Sequence, residues 1–159
     1  MSSMGYRTVF DVTQVGFQWW IPLLIFIFGA LFVGIGWAVR ASGDTDSLTK
    51  GKFFQILGAV GMLAALGFFT SMYGEYRNAQ KAFAAHAYSV SEGVVEDFVP
   101  MPPGGHATES FMLHGVRFEY GSGWGSTMFN SEWNKGFIRD GVEARITYVG
   151  KDIIKVEIK

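Results

Sequence analysis

Cysteine is absent from this 159-residue chain, and histidine occurs only as His86, His106 and His114. A disulfide frame, a thiolate zinc site and a cysteine nucleophile are therefore excluded. A cysteine-free chain suits oxidising and reducing compartments alike, so this absence indicates no address. Charge is missing from two long stretches: residues 12–39 hold no Asp, Glu, Lys or Arg, and neither do residues 53–74. Also lacking are a glycine-rich phosphate loop ending in Lys-Ser/Thr, a nucleophile elbow and a His-Glu-x-x-His pair. A chain this short has no room for separate cofactor and substrate domains. Apolar side chains are abundant: 49% of residues are hydrophobic against 17% charged, with 15 Phe, 5 Trp and 21 Gly. That composition excludes general disorder.

The two uncharged stretches predict two membrane spans. The first, Trp19–Val39, holds twelve Leu, Ile, Phe or Val residues. At roughly −0.3 to −0.6 kcal/mol each they contribute about −4 to −7 kcal/mol toward insertion. About 20 residues at a rise of about 1.5 Å cross a hydrocarbon core of roughly 30 Å. Trp19 and Trp20 mark one interface, Trp37 and Arg40 the other, and Pro22 falls in the first turn, where it costs no helix hydrogen bond. A cleaved signal peptide is the competing reading. The apolar run exceeds the roughly 7–15 residues of a signal core, and Arg7 is the only basic residue before it. The second span, residues 53–74, is diluted by Gln55, Gly58, Gly61, Gly67, Thr70 and Ser71. Its length and lack of charge favour a span over a buried soluble helix.

Small residues recur four apart at Ala30 and Gly34 and at Gly61 and Ala65. This spacing lets helices approach closely in lipid, either within the hairpin or against a partner helix. Neither span carries an ionisable side chain of the kind a proton relay or ion pathway needs, which argues against transport by this chain alone. A polar loop over residues 40–52 joins the spans, so both termini share one side. By count the loop's Arg40, Lys50 and Lys52 tie with Arg7, Arg77 and Lys81 on the other side of the spans, but the short loop carries its charge more densely. It is expected in the cytoplasm, with the C-terminal domain outside it. Residues 1–18 are an N-terminal tail, and residues 75–87, rich in Ala, continue the second helix as a linker.

From Tyr88 the pattern changes to short runs of Val, Ile, Phe and Tyr punctuated by Gly, Pro and Asn. A first strand is predicted over Ser89–Val99, with Val94 and Phe98 on one face and Gly93 at a bulge. Pro100-Met101-Pro102-Pro103-Gly104-Gly105 then makes a loop. With a two-residue turn at His114-Gly115, Leu113 faces Val116 and Phe111 faces Phe118, and Tyr120 joins this apolar stripe. In the last hairpin a three-residue loop, Gly150-Lys151-Asp152, pairs Ile146 with Val156 and Tyr148 with Ile154. Five short strands over residues 88–159 predict a small barrel of OB or SH3-like type, since closure removes sheet edges.

Chemistry is sparse in this domain. His106 and Glu109 share a loop, but two ligands at loop spacing are little basis for a metal-dependent hydrolase. Residues 80–159 carry eight Lys or Arg against ten Asp or Glu, a net charge of −2, which argues against nucleic acid. The segment Gly121–Asn134 offers Trp124, Met128, Phe129 and Trp133 among Gly and Ser. Large aromatics on such a loop suit a protein contact surface. Alternatively, they plug the end of the barrel.

Two resemblances add to this reading. Ser91 to Pro102, with Gly105-His106, Glu109-Ser110-Phe111 and Gly141 to Gly150, resembles a pattern in uncharacterised bacterial membrane proteins with a small β domain. It implies a bacterial envelope protein and carries no known activity. More loosely, two spans followed by a five-strand barrel with Ile138-Arg139-Asp140-Gly141-Val142 and Val149-Gly150 resemble NfeD-like membrane proteins. In that family the OB domain serves protein association, often with stomatin-type scaffold proteins, although the proline loop and the His114-Gly115 hairpin depart from its pattern.

The expected object is thus an α+β membrane protein: a two-helix transmembrane hairpin followed by a five-stranded OB/SH3-like β-barrel. Its expected role is protein interaction or assembly in the bacterial inner membrane, without catalysis of its own. The expected partners are the bilayer and a membrane protein or a second copy. No cofactor, metal, small-molecule substrate or nucleic acid is expected. An accessory subunit of a larger membrane enzyme or transport complex is the alternative.

Overall fold

A computed structural model describes residues 5–102, 107–123 and 126–159. The chain runs β1 (Arg7–Asp11), α1 (Trp20–Arg40), α2 (Thr45–Ala84), β2 (Ser89–Val99), β3 (Glu109–Leu113), β4 (Val116–Tyr120), α3 (Ser131–Asn134), β5 (Glu143–Val149) and β6 (Asp152–Ile158). It divides into two compact units: Gln18–Tyr73, and Met1–Phe17 together with Gly74–Lys159.

The helical unit holds α1 and most of α2, both long and apolar enough to cross a membrane. The polar segment expected over residues 40–52 is mostly helix, because α2 already begins at Thr45. Asp44 starts it, accepting hydrogen bonds from Ser47 N at 2.8 Å and Ser47 Oγ at 2.6 Å. These bonds occupy a donor that a helix start leaves without an internal partner. They also hold the Asp44 carboxyl below its usual range.

The other unit is a six-stranded antiparallel sheet in the order β1-β6-β5-β2-β3-β4. Two expectations change here. The sixth strand comes from residues 7–11, which the sequence pattern marks only as tail; Phe10 pairs with Val156 and is 2% exposed. The sheet is also open rather than a closed barrel, since among the described residues β1 and β4 are its two unpaired edges. The core under it comprises Phe10, Val95, Phe111, Leu113, Phe118, Ile146, Ile154 and Val156 with their neighbours. The end of α2 contributes Tyr76, Ala79 and Phe83 to it at helical spacing.

The β3–β4 hairpin has the expected register, with Phe111 opposite Phe118 and Leu113 opposite Val116. His114 at φ 49° and Gly115 at φ 78° form its two-residue turn, as the right-handed twist of a hairpin demands. The β2 strand has the expected bounds but a different facing. Val95 is 1% exposed and Val94 49% exposed. Asp97, not Gly93, takes the left-handed conformation, at φ 52°, and the register slips between Glu96 and Val99. That slip turns Phe98 back toward the core on which Val95 lies. In the β5–β6 hairpin Ile146 does face Val156, but Tyr148 pairs with Ile153 and Val149 with Asp152. The loop is therefore Gly150-Lys151, and a bulge after Thr147 brings both Ile153 and Ile154 inside, 2% and 0% exposed.

Candidate functional site

The helical seam is built from glycine. A Cβ on Gly29 would lie 2.8 Å from the Gly58 carbonyl oxygen, and one on Gly36 would lie 2.6 Å from that of Gly51. The reciprocal substitutions collide too, Gly58 with Gly29 and Val33, and Gly51 with Gly36 and Arg40. Gly29 and Gly36 on α1 are seven apart, as are Gly51 and Gly58 on α2, and all four are buried. Pro22 and Ala65, one heptad further along each helix, are buried as well. A seven-residue period keeps one stripe of each helix turned to the other, and glycine lets the backbones approach.

Of the four residues expected at such a seam, Ala65 is in it, and Gly61 flanks it, with Gly29 Cα 3.7 Å from where its Cβ would be. Ala30 and Gly34 are not. They lie on the exposed side of α1, and nothing lies within 4 Å of a Cβ built on Gly34. A four-residue spacing marks close approach for helices crossing at a steep angle, whereas this pair follows the heptad. The heptad of glycines was present in the sequence as the missed signal.

Large apolar side chains take the opposite course and face outward. Trp37, Leu63, Ile56 and Phe53 are 72%, 70%, 66% and 63% exposed. The core helix of a soluble protein buries such residues.

The aromatic segment after β4 packs inward. Met128 and Phe129, expected as partner contacts, are 5% and 3% exposed, so they serve the core instead. The Phe129 ring lies 5.5 Å from Phe10 on one edge strand and 5.0 Å from Tyr120 on the other. This ring thus packs against side chains of both edge strands, which are not paired with each other among the described residues. Trp133 is partly buried with its ring 5.5 Å from Phe10, while Trp124 lies outside the described residues.

Two asparagines shape this segment. Asn130 caps α3, accepting from Glu132 N at 3.0 Å and Trp133 N at 3.3 Å, and donates to Met128 O at 3.0 Å. Gly123, at φ 87°, leaves the space that the Asn130 amide occupies. Asn134 accepts from Ile138 N at 2.7 Å and donates to Glu109 Oε2 at 3.0 Å. Glu109 is thus tied to the core segment. Its suggested metal partner His106 lies outside the described residues, and among the described residues no cluster of three His, Asp or Glu could hold a metal. Burial, with the Glu109 carboxylate second, pushes the Tyr120 phenol well above its ordinary range.

A polar network fastens the N-terminal strand on the solvent face. Tyr6 OH donates to Glu92 at 3.0 Å and Glu143 at 3.2 Å, and the Arg145 guanidinium lies 4.3 Å over its ring. Arg145 also donates to Glu92 at 2.7 Å, holding that carboxyl below its usual range. Partial burial and then the two carboxylates push the Tyr6 phenol up to about 12.

The class these features define is an α+β chain with a glycine-seamed pair of long apolar helices and a six-stranded open sheet. No protein-family model, curated protein or solved structure matches it.

Proposed function

We propose that this chain is a membrane-anchored protein-interaction or assembly module of the bacterial inner membrane, without catalytic activity of its own. One observation carries the anchor: glycine faces glycine between α1 and α2 while Leu, Ile, Phe and Trp face outward. In water that arrangement exposes a large apolar surface, and in a bilayer it is the expected one. The topology of the sheet supports a hairpin. The chain leaves the sheet unit after β1 and re-enters it before β2, so two crossings return it to the side it left. Basic density supports a turn between the helices in the cytoplasm and a sheet unit in the periplasm.

Extraction of membranes with alkaline carbonate tests the anchor: the chain should stay in the pellet. Phosphatase fused after Lys159 should be active, and a cytoplasmic fluorescent reporter at the same place dark. The opposite pattern inverts the orientation. Affinity purification of the full chain from detergent should recover a reproducible partner or a second copy; recovery of neither defeats the assembly reading.

A second reading, an accessory subunit, is favoured by the outer side of α1. Ala30, Gly34 and Ala38 line an open groove with Phe26, Ile27, Leu31 and Ile35, a shape that admits another helix. Gly34→Leu should then abolish co-purification while Trp133→Ala spares it. The reverse result assigns binding to the sheet unit.

A further inference from the structure

At the turn between the helices, α1 ends on Arg40, whose exposed side chain lies against α2 at both stem and head. A Cβ on Gly51 would collide with Arg40 Cγ, so the glycine leaves the space in which the arginine stem lies. The head is held because Arg40 Nη1 donates to Gln55 Oε1 at 2.9 Å. Gln55 is positioned in turn by Gly36, where a Cβ would lie 2.7 Å from Gln55 Cγ. Beside this pair is a concavity of about 380 Å³ lined by Trp37, Arg40, Ala41, Leu48 and Gln55. A long arginine that only balances charge at a helix end is free to wander; this one is pre-oriented against a hollow.

The surrounding charges leave the hollow open to an anion. The final carbonyls of α1 repel negative charge, but they are occupied: Ala41 N donates to Trp37 O and Ala38 O, Ser42 N and Oγ to Val39 O, and Gly43 N to Arg40 O. Of the two nearby carboxylates, Asp46 is paired with Lys50 at 2.6 Å, while Asp44 stays ionised and turns both its oxygens to Ser47; neither lines the hollow. A guanidinium has five N–H donors in a planar fork that fits phosphate oxygens bidentately.

We propose that this hollow binds a phosphate-bearing anion, namely the headgroup phosphate of an anionic phospholipid, on the Arg40 guanidinium. Trp37 and Leu48 flank it as apolar walls for the glycerol end of the lipid, since tryptophan sits well at headgroup level. The inference rests on the reading of α1 and α2 as membrane spans.

The full chain, purified in neutral detergent, would be offered phosphatidylglycerol and phosphatidylcholine in equal amounts, and retained lipid counted by native mass spectrometry. Phosphatidylglycerol should be retained preferentially. Arg40→Gln should lower its retention at least about tenfold, since even one of the two charge-assisted hydrogen bonds of a bidentate pair is worth that much. Gln55→Ala, which keeps the charge but frees the head, should lower it less. Lys52→Gln, a cation at the same end outside the hollow, should leave it unchanged. Equal losses for Arg40→Gln and Lys52→Gln would mean diffuse attraction and overturn the site. Displacement of the lipid by inorganic phosphate would identify a free anion as the ligand and overturn the lipid assignment. If Arg40→Gln does not fold, Arg40→Lys substitutes for it, with partial retention expected and full retention overturning the bidentate site. Loss of the wild-type chain from carbonate-washed membranes defeats the membrane reading itself. A chain that stays in the membrane without lipid preference defeats only this inference.

Discussion

The two units of this protein solve packing in opposite ways. Between α1 and α2 the tightest contacts are glycine on glycine, with Phe32 stacked on Phe54 at 6.0 Å beside them, and most of the other bulky side chains point away. Beneath the sheet the bulky side chains are the contact: Phe111 stacks on Phe118 at 5.2 Å, Phe118 meets Tyr148 edge-on at 5.0 Å, and Phe129 joins both edge strands. The difference reflects what each surface leaves behind on packing. Removing a phenylalanine from water is favourable by about 1.5–3 kcal/mol, so the sheet unit turns its large side chains in. Lipid is as apolar as leucine, so burying leucine there gains little, and close backbone approach decides instead.

The contrast can be broken most severely in the sheet unit. Phe129→Ala and Phe118→Ala each remove a core aromatic and should cost about 3–5 kcal/mol, read from denaturant melts of the full chain in detergent. If Phe129 were a partner contact, as the sequence also allows, its loss would leave stability unchanged and weaken only binding.

The next effect belongs to the helices. Gly58→Leu drives a side chain into the Gly29 carbonyl and Val33, and should destabilise the pair by about 1–3 kcal/mol. Gly34→Leu should be tolerated, since its Cβ meets open space. Cysteine cross-linking between α1 and α2 would report both; equal loss would place the seam on the wrong face.

Smaller still is Arg117→Ala, expected to cost roughly 0.5 kcal/mol, because its ion pair with Glu119 at 2.9 Å is exposed on both sides. Neighbouring residues 117 and 118 should thus differ several-fold in the same melts. A loss at Arg117 equal to that at Phe118 would mean a hairpin slipped by one residue.

The smallest effect is a titration. The Tyr6 phenol is raised from 10.0 to about 12, and its neutral form is the donor to Glu92 and Glu143. Its contribution is complete below pH about 10 and is lost as pH rises through about 12. The phenolate absorbance that Tyr6→Phe removes should appear in that upper range. Titration at 10 would mean that Tyr6 does not hold β1 through these carboxylates.

Much of this arrangement was legible in the residues alone. A helix of membrane length follows from about 20 uncharged apolar residues, and the β3–β4 register follows from alternation plus a turn that needs φ > 0 at His114 and Gly115. Both are local, since each depends on side chains adjacent in sequence. Facing on β2 was not legible, because Asp97 leaves the strand conformation where Gly93 was the natural suspect, and one residue of slip exchanges the faces. Nor was the role of Met128 and Phe129 legible: interface and core draw on the same side chains, and only their surroundings separate the two.

The sequence by itself determined the two apolar helices, the strands of the C-terminal half and the absence of any cysteine chemistry, because composition and short-range period suffice for these. Tertiary structure alone decided that residues 7–11 complete the sheet beside β6, some 145 residues away, and that Gly29 and Gly36 meet Gly58 and Gly51. Those are choices of partner between distant segments. A strand edge or a glycine stripe shows in its own residues that it can be covered, and only the folded chain shows by what.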